Sequence, residues 1–498
     1  MSAPIKKTQD FLDISHQFKL GGLQTESFHP KTRQLSSLLK SDIREGLKLL
    51  AQVDHDALNT LTDYASSFWE LYQDIETTLT NGHRIFMSGC GATGRLALVL
   101  ETLFTRKFGE KKVISFMAGG DFALIKSVES FEDQTIYGHR QLMDLGFRDG
   151  DLLIATSEGG ETPFVIGSAQ KASEVSQQSP YFIYCNPDKE LKGLDRCEGI
   201  LKNKKVKKRS IPVGPMAISG STRMQASTVL MFVVGECLLY KHSNLNSFVS
   251  HYQSQLKKLY FDYQDFSVFT DQEFKFYQDK KLLNYVSDPE LAISILTDTT
   301  ERSPTFSLNG FENFLHPEQT PSLSYLFVKN TTSPEEGWNA LLCREPRALS
   351  WPDLNRKIDL EEVYGFDISM NGIRKRSLPG ENFEITFCDG IIHFKLADFE
   401  RAYNWGDDLF IIHLKLKMLL NAHSTSVMGL LGRFEGNVMS WVRPSNNKLI
   451  DRSARYIKEI LQQKGIHKTY EEIVLMIFEE LETIKENEPI VMKVVGRN

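Results

Sequence analysis

The chain has 498 residues, of which 41% are hydrophobic and 24% charged, and its formal net charge is −6. This length exceeds one ordinary domain and predicts two or three. The acidic balance argues against a general nucleic-acid binder. The most apolar stretch, 229–240, is too short to cross a bilayer and contains Glu236, so we expect no membrane partner.

The six cysteines form neither a CxxC pair nor a metal-binding spacing, and the N-terminus lacks the apolar core of a signal peptide. These features predict reduced, mostly buried thiols in a cytoplasmic protein. We expect neither a metal nor another cofactor. The basic run Lys202–Arg209 is interpreted as a solvated loop before a strand.

Residues 1–80 are predicted to be helical, because apolar residues recur at helical spacing between Leu47 and Leu61. Short β-rich runs then alternate with helical patterns as far as residue 250. Strands are predicted at Arg84–Ser88, Lys112–Met117, Leu152–Thr156, Tyr181–Cys185 and Arg209–Pro212, and a long helix from Ser221 to about Lys241. This alternation predicts an α/β fold with a parallel sheet covered by helices on both faces.

The segment Ser88–Arg95, with the sequence Ser-Gly-Cys-Gly-Ala-Thr-Gly-Arg, joins the first predicted strand to a helix. Glycines let the backbone approach a ligand closely. The free N–H groups and the positive end of the helix dipole favour an anion, most often a phosphate, and the Thr93 hydroxyl adds a donor. The second strand ends in Ala118-Gly119-Gly120 instead of the carboxylate of a dinucleotide site. The nucleotide interpretation is thereby weakened, and a Walker-type ending is absent from the sequence.

Two further strands end in loops of the same character. Ser157–Pro163 follows the third strand and Val213–Arg223 follows the fifth. Ligands in such sheets bind beyond the carboxyl ends of the strands, so the three loops predict one binding site at that edge. Ser221 and Thr222 are also N-cap candidates for the long helix.

These segments resemble the sugar-isomerase (SIS) family, in the branch that contains N-acetylmuramate 6-phosphate etherase and the glucokinase regulatory protein. The matching segments follow the family's order and approximate spacing: Ser88–Arg95, Ala118–Gly120, Val128–Asp133, Thr162-Pro163 and Ser219–Met224. The resemblance covers most of residues 20–240 and implies a doubly wound parallel sheet. It also implies a set of substrate-binding residues, namely Gly89, Gly91, Ala92, Thr93, Arg95, Glu129, Ser157, Gly159, Ser219, Ser221, Thr222 and Arg223.

The family pattern returns in a degenerate form later in the chain. Leu291–Leu296 is predicted as a strand, and Thr297–Phe306 after it resembles the family's other acidic motif. Lys417–Thr425 resembles the family's Lys-x-x-Leu-Asn-x-x-Ser-Thr helix. The resemblance implies two tandem SIS copies that form a pseudo-dimer within one chain, whereas the etherase has one copy and dimerises. The expected domains are a helical segment 1–80, SIS copies at 81–250 and 251–450, and a helical tail 451–498.

The two copies depart from the family in complementary ways. Copy one keeps the phosphate loops but has Leu103 and Met231 where the etherase has a catalytic Glu and Lys. Copy two has no glycine loop, since Thr297 passes almost directly to Glu301, yet it keeps Glu301 and Lys417. The resemblance therefore implies one composite site, with the phosphate cradle from copy one.

As the resemblance implies, the etherase eliminates lactate from carbon 3 of the sugar and then adds water. A base must take the carbon-2 proton and an acid must help the ether oxygen leave. Glu132 and Glu301 match the two catalytic glutamates; which is acid and which is base stays open. Lys417 would neutralise the phosphate or polarise a sugar oxygen. Without the family match, Glu132 would be a helix cap, Glu301 a surface residue and Lys417 a snorkelling side chain.

Several positions depart from the family pattern. Gln225 stands where the family usually has Lys, and Met216 where Glu is typical. Ser157-Glu158-Gly159-Gly160-Glu161 replaces Ala-Ala-Ser-Gly-Arg, which places two acids beside the expected phosphate and favours a changed ligand. The stretch 366–396 matches nothing in the family, although Asp389-Gly390 within it predicts a hairpin turn.

Two functions from different classes remain open. One is a lyase that cleaves N-acetylmuramate 6-phosphate, favoured by the etherase-like segment from Asn437 onward. The other is a non-catalytic sugar-phosphate sensor that regulates a sugar kinase such as glucokinase, favoured by the tandem arrangement. An aldose–ketose isomerase is less favoured, because the motifs present are those of the etherase type. All three bind a phosphorylated sugar.

Overall fold

Two sheets follow one another along the chain in the computed structural model. The structure describes residues 3–18, 20–128, 131–316, 318–354, 357–442, 444, 447–485 and 488–497. Glu129, one of the predicted substrate-binding residues, lies outside the described residues.

The strands are given first in chain order. They are β1 Ile85–Gly89, β2 Val113–Met117, β3 Leu152–Ser157, β4 Tyr181–Tyr184, β5 Lys207–Ser210, β6 Leu282–Ser287, β7 Ser324–Val328, β8 Gly380–Cys388, β9 Ile391–Leu396 and β10 Phe399–Asn404.

The α-helices precede, cover and follow these strands. They are α1 Ala3–Ile14, α2 Leu35–Ser41, α3 Ile43–Asn59, α4 Trp69–Thr80, α5 Gly91–Phe108, α6 Thr135–Asp144, α7 Pro163–Val175, α8 Asp188–Leu191, α9 Asp195–Lys202, α10 Gln225–Leu239, α11 Leu245–Lys258, α12 Ser267–Gln278, α13 Pro289–Phe306, α14 Pro334–Leu342, α15 Leu360–Tyr364, α16 Leu409–Leu430, α17 Asn447–Gln463, α18 Tyr470–Glu480 and α19 Ile490–Gly496. None of the described helices combines the length and apolar character needed to cross a bilayer.

The first sheet has the order β2-β1-β3-β4-β5, and all its described pairings are parallel. Its strands coincide with the five predicted ones to within two or three residues at each end. The central strands β1 and β3 are buried along their whole length, as expected of strands covered by helices on both faces. The edge strand β5 carries Lys207 and Arg209, which pair with Glu70 of α4.

The second sheet has the order β10-β9-β8-β6-β7. β6, β7 and β8 are parallel, whereas β8, β9 and β10 form antiparallel hairpins. The turn between β8 and β9 is Asp389-Gly390, with φ values of 49° and 75°, so the hairpin predicted there is confirmed. The expectation of two α/β sheets flanked by helices is confirmed, and the segment 366–396 that matched no family pattern supplies most of the antiparallel extension.

The prediction of a strand at Leu291–Leu296 is wrong, because this segment lies inside helix α13. A short apolar run does not distinguish a buried strand from a buried helix, and α13 is buried almost throughout its first three turns. The strand is β6, and Ser287-Asp288-Pro289 stands where the first sheet has its glycine loop. Pro289 occupies the first helical position, where its fixed φ favours helix initiation.

The two long apolar helices, α10 and α16, are buried on nearly all sides and pack against each other. Helix α10 begins at Gln225, later than the predicted Ser221, and its N-cap position is Met224. Ser221 and Thr222 are therefore not N-caps, because the chain still turns at Gly220, which has φ +70°.

Candidate functional site

The loop between β1 and α5 has the geometry of an anion cradle. A Cβ at Gly89 would lie 2.4 Å from the backbone nitrogen of Gly94, so only glycine fits at this position. Gly91 adopts φ +49°. Gly91 and Ala92 are the first residues of α5, and their N–H groups precede any intrahelical acceptor. The helix dipole adds positive potential at the same point.

Thr93 caps the helix and closes the loop. Its hydroxyl donates to the carbonyl oxygen of Cys90 over 2.9 Å and accepts the N–H of Cys90 over 2.9 Å. The hydroxyl hydrogen is therefore used within the loop. The prediction that the Thr93 hydroxyl adds a donor for the ligand does not agree with this geometry.

Arg95 connects the loop to the second half of the chain. Its guanidinium donates to the carbonyl oxygen of Leu124 over 2.9 Å and to the Thr300 hydroxyl over 3.4 Å. Its Nη1 lies 3.8 Å from Oε1 of Glu301. Thr300 and Glu301 both belong to α13, so a helix of the second sheet supplies an acid at the loop of the first.

Glu301 is a buried carboxyl surrounded by cations. Burial raises the pKa of Glu301 above its ordinary value, although the charges of Arg95, Arg223 and Lys417 act to lower it. The sequence interpretation without the family match, a surface residue in a turn, is excluded because Glu301 is only 8% exposed. The structure thus brings together three of the predicted site residues, Glu301, Arg95 and Arg223, around one carboxyl.

Lys417, on α16, is tied to the start of α10. Its Nζ donates to the carbonyl oxygens of Arg223 over 2.8 Å and Met224 over 2.7 Å, and to the Thr228 hydroxyl over 2.6 Å. Burial lowers the pKa of Lys417 to about 8. All three ammonium hydrogens therefore have acceptors, and the side chain contributes charge to the site without a free donor.

Arg223 also faces the second half of the chain. Its guanidinium lies 3.2 Å from Oδ1 of Asp298 and donates to the hydroxyls of Ser424 and Thr425 over 3.3 and 3.2 Å. Asn421 donates to the same Asp298 oxygen over 2.9 Å. The Asn-x-x-Ser-Thr part of the motif on α16 thus holds Arg223 and Asp298 in place.

The second loop, after β3, carries two acids in opposite electrostatic states. Burial raises the pKa of Glu158 to about 8, and the charge of Glu301 adds to this effect. Glu161 lies 2.8 Å from both Arg196 and Lys448. These cations outweigh burial and hold the pKa of Glu161 below its ordinary value. At neutral pH, Glu158 is protonated and Glu161 is neutralised by its partners, so the two acids add little net negative charge beside the cradle.

Ser157 and Gly159 shape this second loop. The Ser157 hydroxyl accepts the N–H of Gly160 over 3.0 Å and lies 3.1 Å from the Thr162 hydroxyl. The carbonyl of Gly159 accepts from the Asn186 amide over 2.9 Å. Both residues lie at the predicted sheet edge, and Ser157 is engaged in forming the turn.

Glu132 lies at the same edge but is only half-buried. Burial raises the pKa of the Cys90 thiol, and the charges of Glu132 and Glu158 raise it further. Glu132 also stabilises the charged form of Lys448. Burial acts to lower the pKa of Lys448, but its acidic neighbours raise this pKa above the ordinary value. It is not the N-cap of α6, a position held by Gln134.

Ser219, in the third loop, is held by segments from both ends of the chain. Its hydroxyl donates to the carbonyl of Glu26 over 3.1 Å, and the Tyr456 hydroxyl donates to its carbonyl over 2.6 Å. Ser221 is buried and Thr222 half-buried beside it. Among the described residues, no hydrogen bond or ion pair joins the side chain of Ser219, Ser221 or Thr222 to Glu301.

The sequence reasoning missed a basic group on α17. Lys448 contacts Glu161, and Arg452 lies 2.5 Å from Glu26. Although burial acts in the opposite direction, Arg452 and Arg455 lower the pKa of Glu26 to about 2. The spacing i,i+4 of Lys448 and Arg452 placed them on one helix face, but nothing local indicated the acids that they meet.

Several polar side-chain atoms are buried around the cradle and have no hydrogen-bond partner within the described part of the chain. They are Ser88 Oγ, Arg95 Nε, Glu158 Oε1, Arg223 Nε and Asn421 Oδ1. Buried polar groups without partners are costly. Their accumulation at the cradle is typical of a site that is completed by a polar ligand.

A family model, two curated relatives and one solved structure match parts of this chain. The model of the glucokinase regulatory protein N-terminal SIS domain matches residues 69–173. The N-acetylmuramic acid 6-phosphate etherase of Yersinia pestis (strain Pestoides F) is 31% identical over 217 residues, which cover 43% of this chain and 69% of the relative. The enzyme of that name from Klebsiella aerogenes is 28% identical over 219 residues, covering 43% and 68%. A tagatose-6-phosphate ketose/aldose isomerase structure from Escherichia coli aligns with 80% of this chain and 97% of its own, at a TM-score of 0.42 and 10% identity.

Proposed function

Because the chain belongs to the SIS family, in the branch of the N-acetylmuramic acid 6-phosphate etherases and the glucokinase regulatory protein, we propose that it binds a phosphorylated sugar at the β1–α5 loop and cleaves the lactyl ether of N-acetylmuramate 6-phosphate. The observation that carries this proposal is the position of Glu301, 3.8 Å from Arg95. A carboxyl from the second half of the chain thereby reaches the cradle formed by the first half. This arrangement supports one composite site in a pseudo-dimer.

The phosphate binds at the start of α5. The N–H groups of Gly91 and Ala92 and the helix dipole bind its oxygens. Arg95 Nε, buried and without a partner among the described residues, supplies a charged donor. The sugar then extends from the cradle toward the buried carboxyls Glu158 and Glu301, which makes their protonation states part of the chemistry.

Elimination needs an acid at the ether oxygen and a base at the carbon-2 proton. We assign the acid to Glu301, because burial raises its pKa above the ordinary value and its carboxyl lies 3.8 Å from Arg95 at the cradle. We assign the base to Glu132, which is half-buried and electrostatically coupled to Lys448. Lys417 positions the start of α10 through its three hydrogen bonds and adds positive charge to the site.

The test is lactate release from N-acetylmuramate 6-phosphate by the full-length protein, with Glu132→Gln and Glu301→Gln beside the wild type. Loss of a catalytic acid or base lowers the rate by about 10²–10⁴-fold. Glu400→Gln, at an exposed position of the edge strand β10, is the matched control and should release lactate at the wild-type rate. Absence of lactate release by the folded wild type would refute the lyase.

A second candidate is a non-catalytic sugar-phosphate sensor that regulates a sugar kinase. Two observations favour it: the match to the regulatory protein's N-terminal SIS domain and the engagement of every Lys417 ammonium hydrogen by protein acceptors. In this case hexose phosphates raise the melting temperature of the wild type, no lactate is released, and the protein changes the activity of a glucokinase in a manner that depends on the sugar phosphate.

A further inference from the structure

A cluster of two histidines and one glutamate lies at the opposite end of α10 from the cradle. Glu236 occupies the last turn of α10, His242 follows the helix, and His251 lies on α11. One ligand atom from each residue lies within 4.8 Å of the other two. From Gln225 to Glu236 the helix rises about 17 Å, so this cluster is separate from the proposed sugar-phosphate site.

The spacing of the three side chains suits a tetrahedral metal ion. Nδ1 of His251 lies 2.5 Å and Nε2 of His242 lies 3.8 Å from Oε1 of Glu236. With zinc bonds of 2.0–2.1 Å, tetrahedral ligand atoms stand about 3.3 Å apart. The two distances, of which the shorter is a hydrogen bond, lie on either side of this value.

Two atoms of the cluster are buried and unpartnered. Glu236 and His242 have side chains that are 0% and 2% exposed, and Glu236 Oε2 and His242 Nε2 have no hydrogen-bond partner within the described residues. A carboxylate–imidazole pair between Glu236 and His251 alone would leave both atoms unsatisfied, at the cost expected of buried polar groups. A bound cation gives the His242 nitrogen a partner and balances the charge of the Glu236 carboxylate.

We propose that Glu236, His242 and His251 bind one zinc ion, with water in the fourth position. Two imidazoles and one carboxylate favour zinc over calcium or magnesium, which prefer oxygen ligands. His251 is 34% exposed on the side of the cluster that is open to solvent, where the water binds. The ion fastens the end of α10 to α11.

The surroundings set the charge of the site. Asp408 accepts hydrogen bonds from Tyr240 and Gln255 and acts electrostatically on Glu236. Lys107, whose Nζ lies 4.2 Å from the centre of the Tyr240 ring, contributes an opposing positive charge. The carboxylates of Glu236 and Asp408 outnumber this lysine, so the local charge favours a divalent cation.

The test is titration of the chelator-treated full-length protein with Co²⁺, followed by visible absorption, and with Zn²⁺ in competition with a chromophoric indicator. We expect the protein to bind one equivalent of Co²⁺ and to develop the visible absorption bands of tetrahedral cobalt. His242→Gln and His251→Gln should each weaken binding by about 100-fold or more, because each change removes a direct ligand of the metal. His139→Gln is the matched control, because His139 on α6 lies outside the cluster but also has a buried Nε2 that lacks a hydrogen-bond partner in the described part of the chain.

Circular dichroism establishes that the variants are folded, and Glu236→Gln, which preserves shape, serves as a third ligand variant. Zinc should also raise the melting temperature of the wild type and not that of the His242→Gln protein, because only the former binds it in the folded state. Absence of saturable metal binding by the wild type, or equal binding by all the variants, would overturn the proposal.

Discussion

Replacement of Glu158 by glutamine tests whether a buried, protonated carboxyl lies at the cradle. Glu158 is 8% exposed, and burial together with the charge of Glu301 raises its pKa to about 8. Glutamine has the shape of the protonated acid and does not ionise. Glu158→Gln should therefore leave the packing at low pH intact and remove the cost of ionisation at high pH.

The magnitude follows from the difference between the folded and unfolded pKa values. Because the folded chain holds the Glu158 proton more tightly, the free energy of unfolding falls as the pH rises from about 4.5 to about 8. At about 1.4 kcal/mol per pH unit, the ionisation cost in the wild type is about 1 kcal/mol at pH 5 and about 5 kcal/mol at pH 9. The variant should be more stable than the wild type by amounts that approach these values.

The assay is urea-induced unfolding, followed by circular dichroism, of both proteins at half-unit intervals between pH 5 and 9. Glu161→Gln, in the same loop, is the matched control with the opposite sign. Glu161 is paired with Arg196 and Lys448, so its loss should destabilise the protein by about 3 kcal/mol at neutral pH. If the Glu158→Gln protein follows the pH dependence of the wild type, the carboxyl is not protonated in the folded state and the reasoning fails.

Three further predictions concern the loop and the core. Gly89→Ala should abolish stabilisation by sugar phosphates in a thermal shift assay, because the added Cβ would lie 2.4 Å from backbone atoms. Gly91→Ala has open space around the added Cβ, so it should retain binding and lose about 1 kcal/mol of stability through its positive φ. Arg302→Met should cost about 3–5 kcal/mol in urea unfolding, because it removes the buried guanidinium that lies 2.6 Å from the Glu273 carboxylate. A loss below 1 kcal/mol would contradict this. Burial raises the pKa of Asp54 to about 6, so the free energy of unfolding falls as the pH rises from about 4 to 6. Asp54→Asn should therefore be more stable than the wild type by up to about 3 kcal/mol at pH 7. A urea midpoint equal to that of the wild type would contradict this.

Local pattern predicted the first sheet well. The apolar runs that became β1, β3 and β4 are bounded by glycine or polar turns, and strands buried on both faces need only such runs. The hairpin at Asp389-Gly390 was predictable for a similar reason, since the turn chemistry depends on two adjacent residues. These features depend on neighbours in the sequence and not on distant contacts.

The prediction at Leu291–Leu296 failed because its local pattern was ambiguous. Six apolar or small residues in succession suit a buried strand and a buried helix equally. The helix is stabilised by packing against α16, β7, α14 and the first sheet's α5, which buries residues 291–302. The protonation of Glu158 was equally hidden, since it depends on burial by segments far away in the chain.

By itself, the sequence determined where the β1–α5 loop lies, because Gly89 and Gly91 permit a close backbone approach and a positive φ that depend only on neighbouring residues. It also indicated which acids and cations were available, Glu301 and Lys417 among them. Only the tertiary structure decided that Glu301 meets Arg95 and that Lys417 is bound by the start of α10. Side-chain contacts between residues about two hundred positions apart depend on how whole helices pack, and no local pattern encodes that geometry.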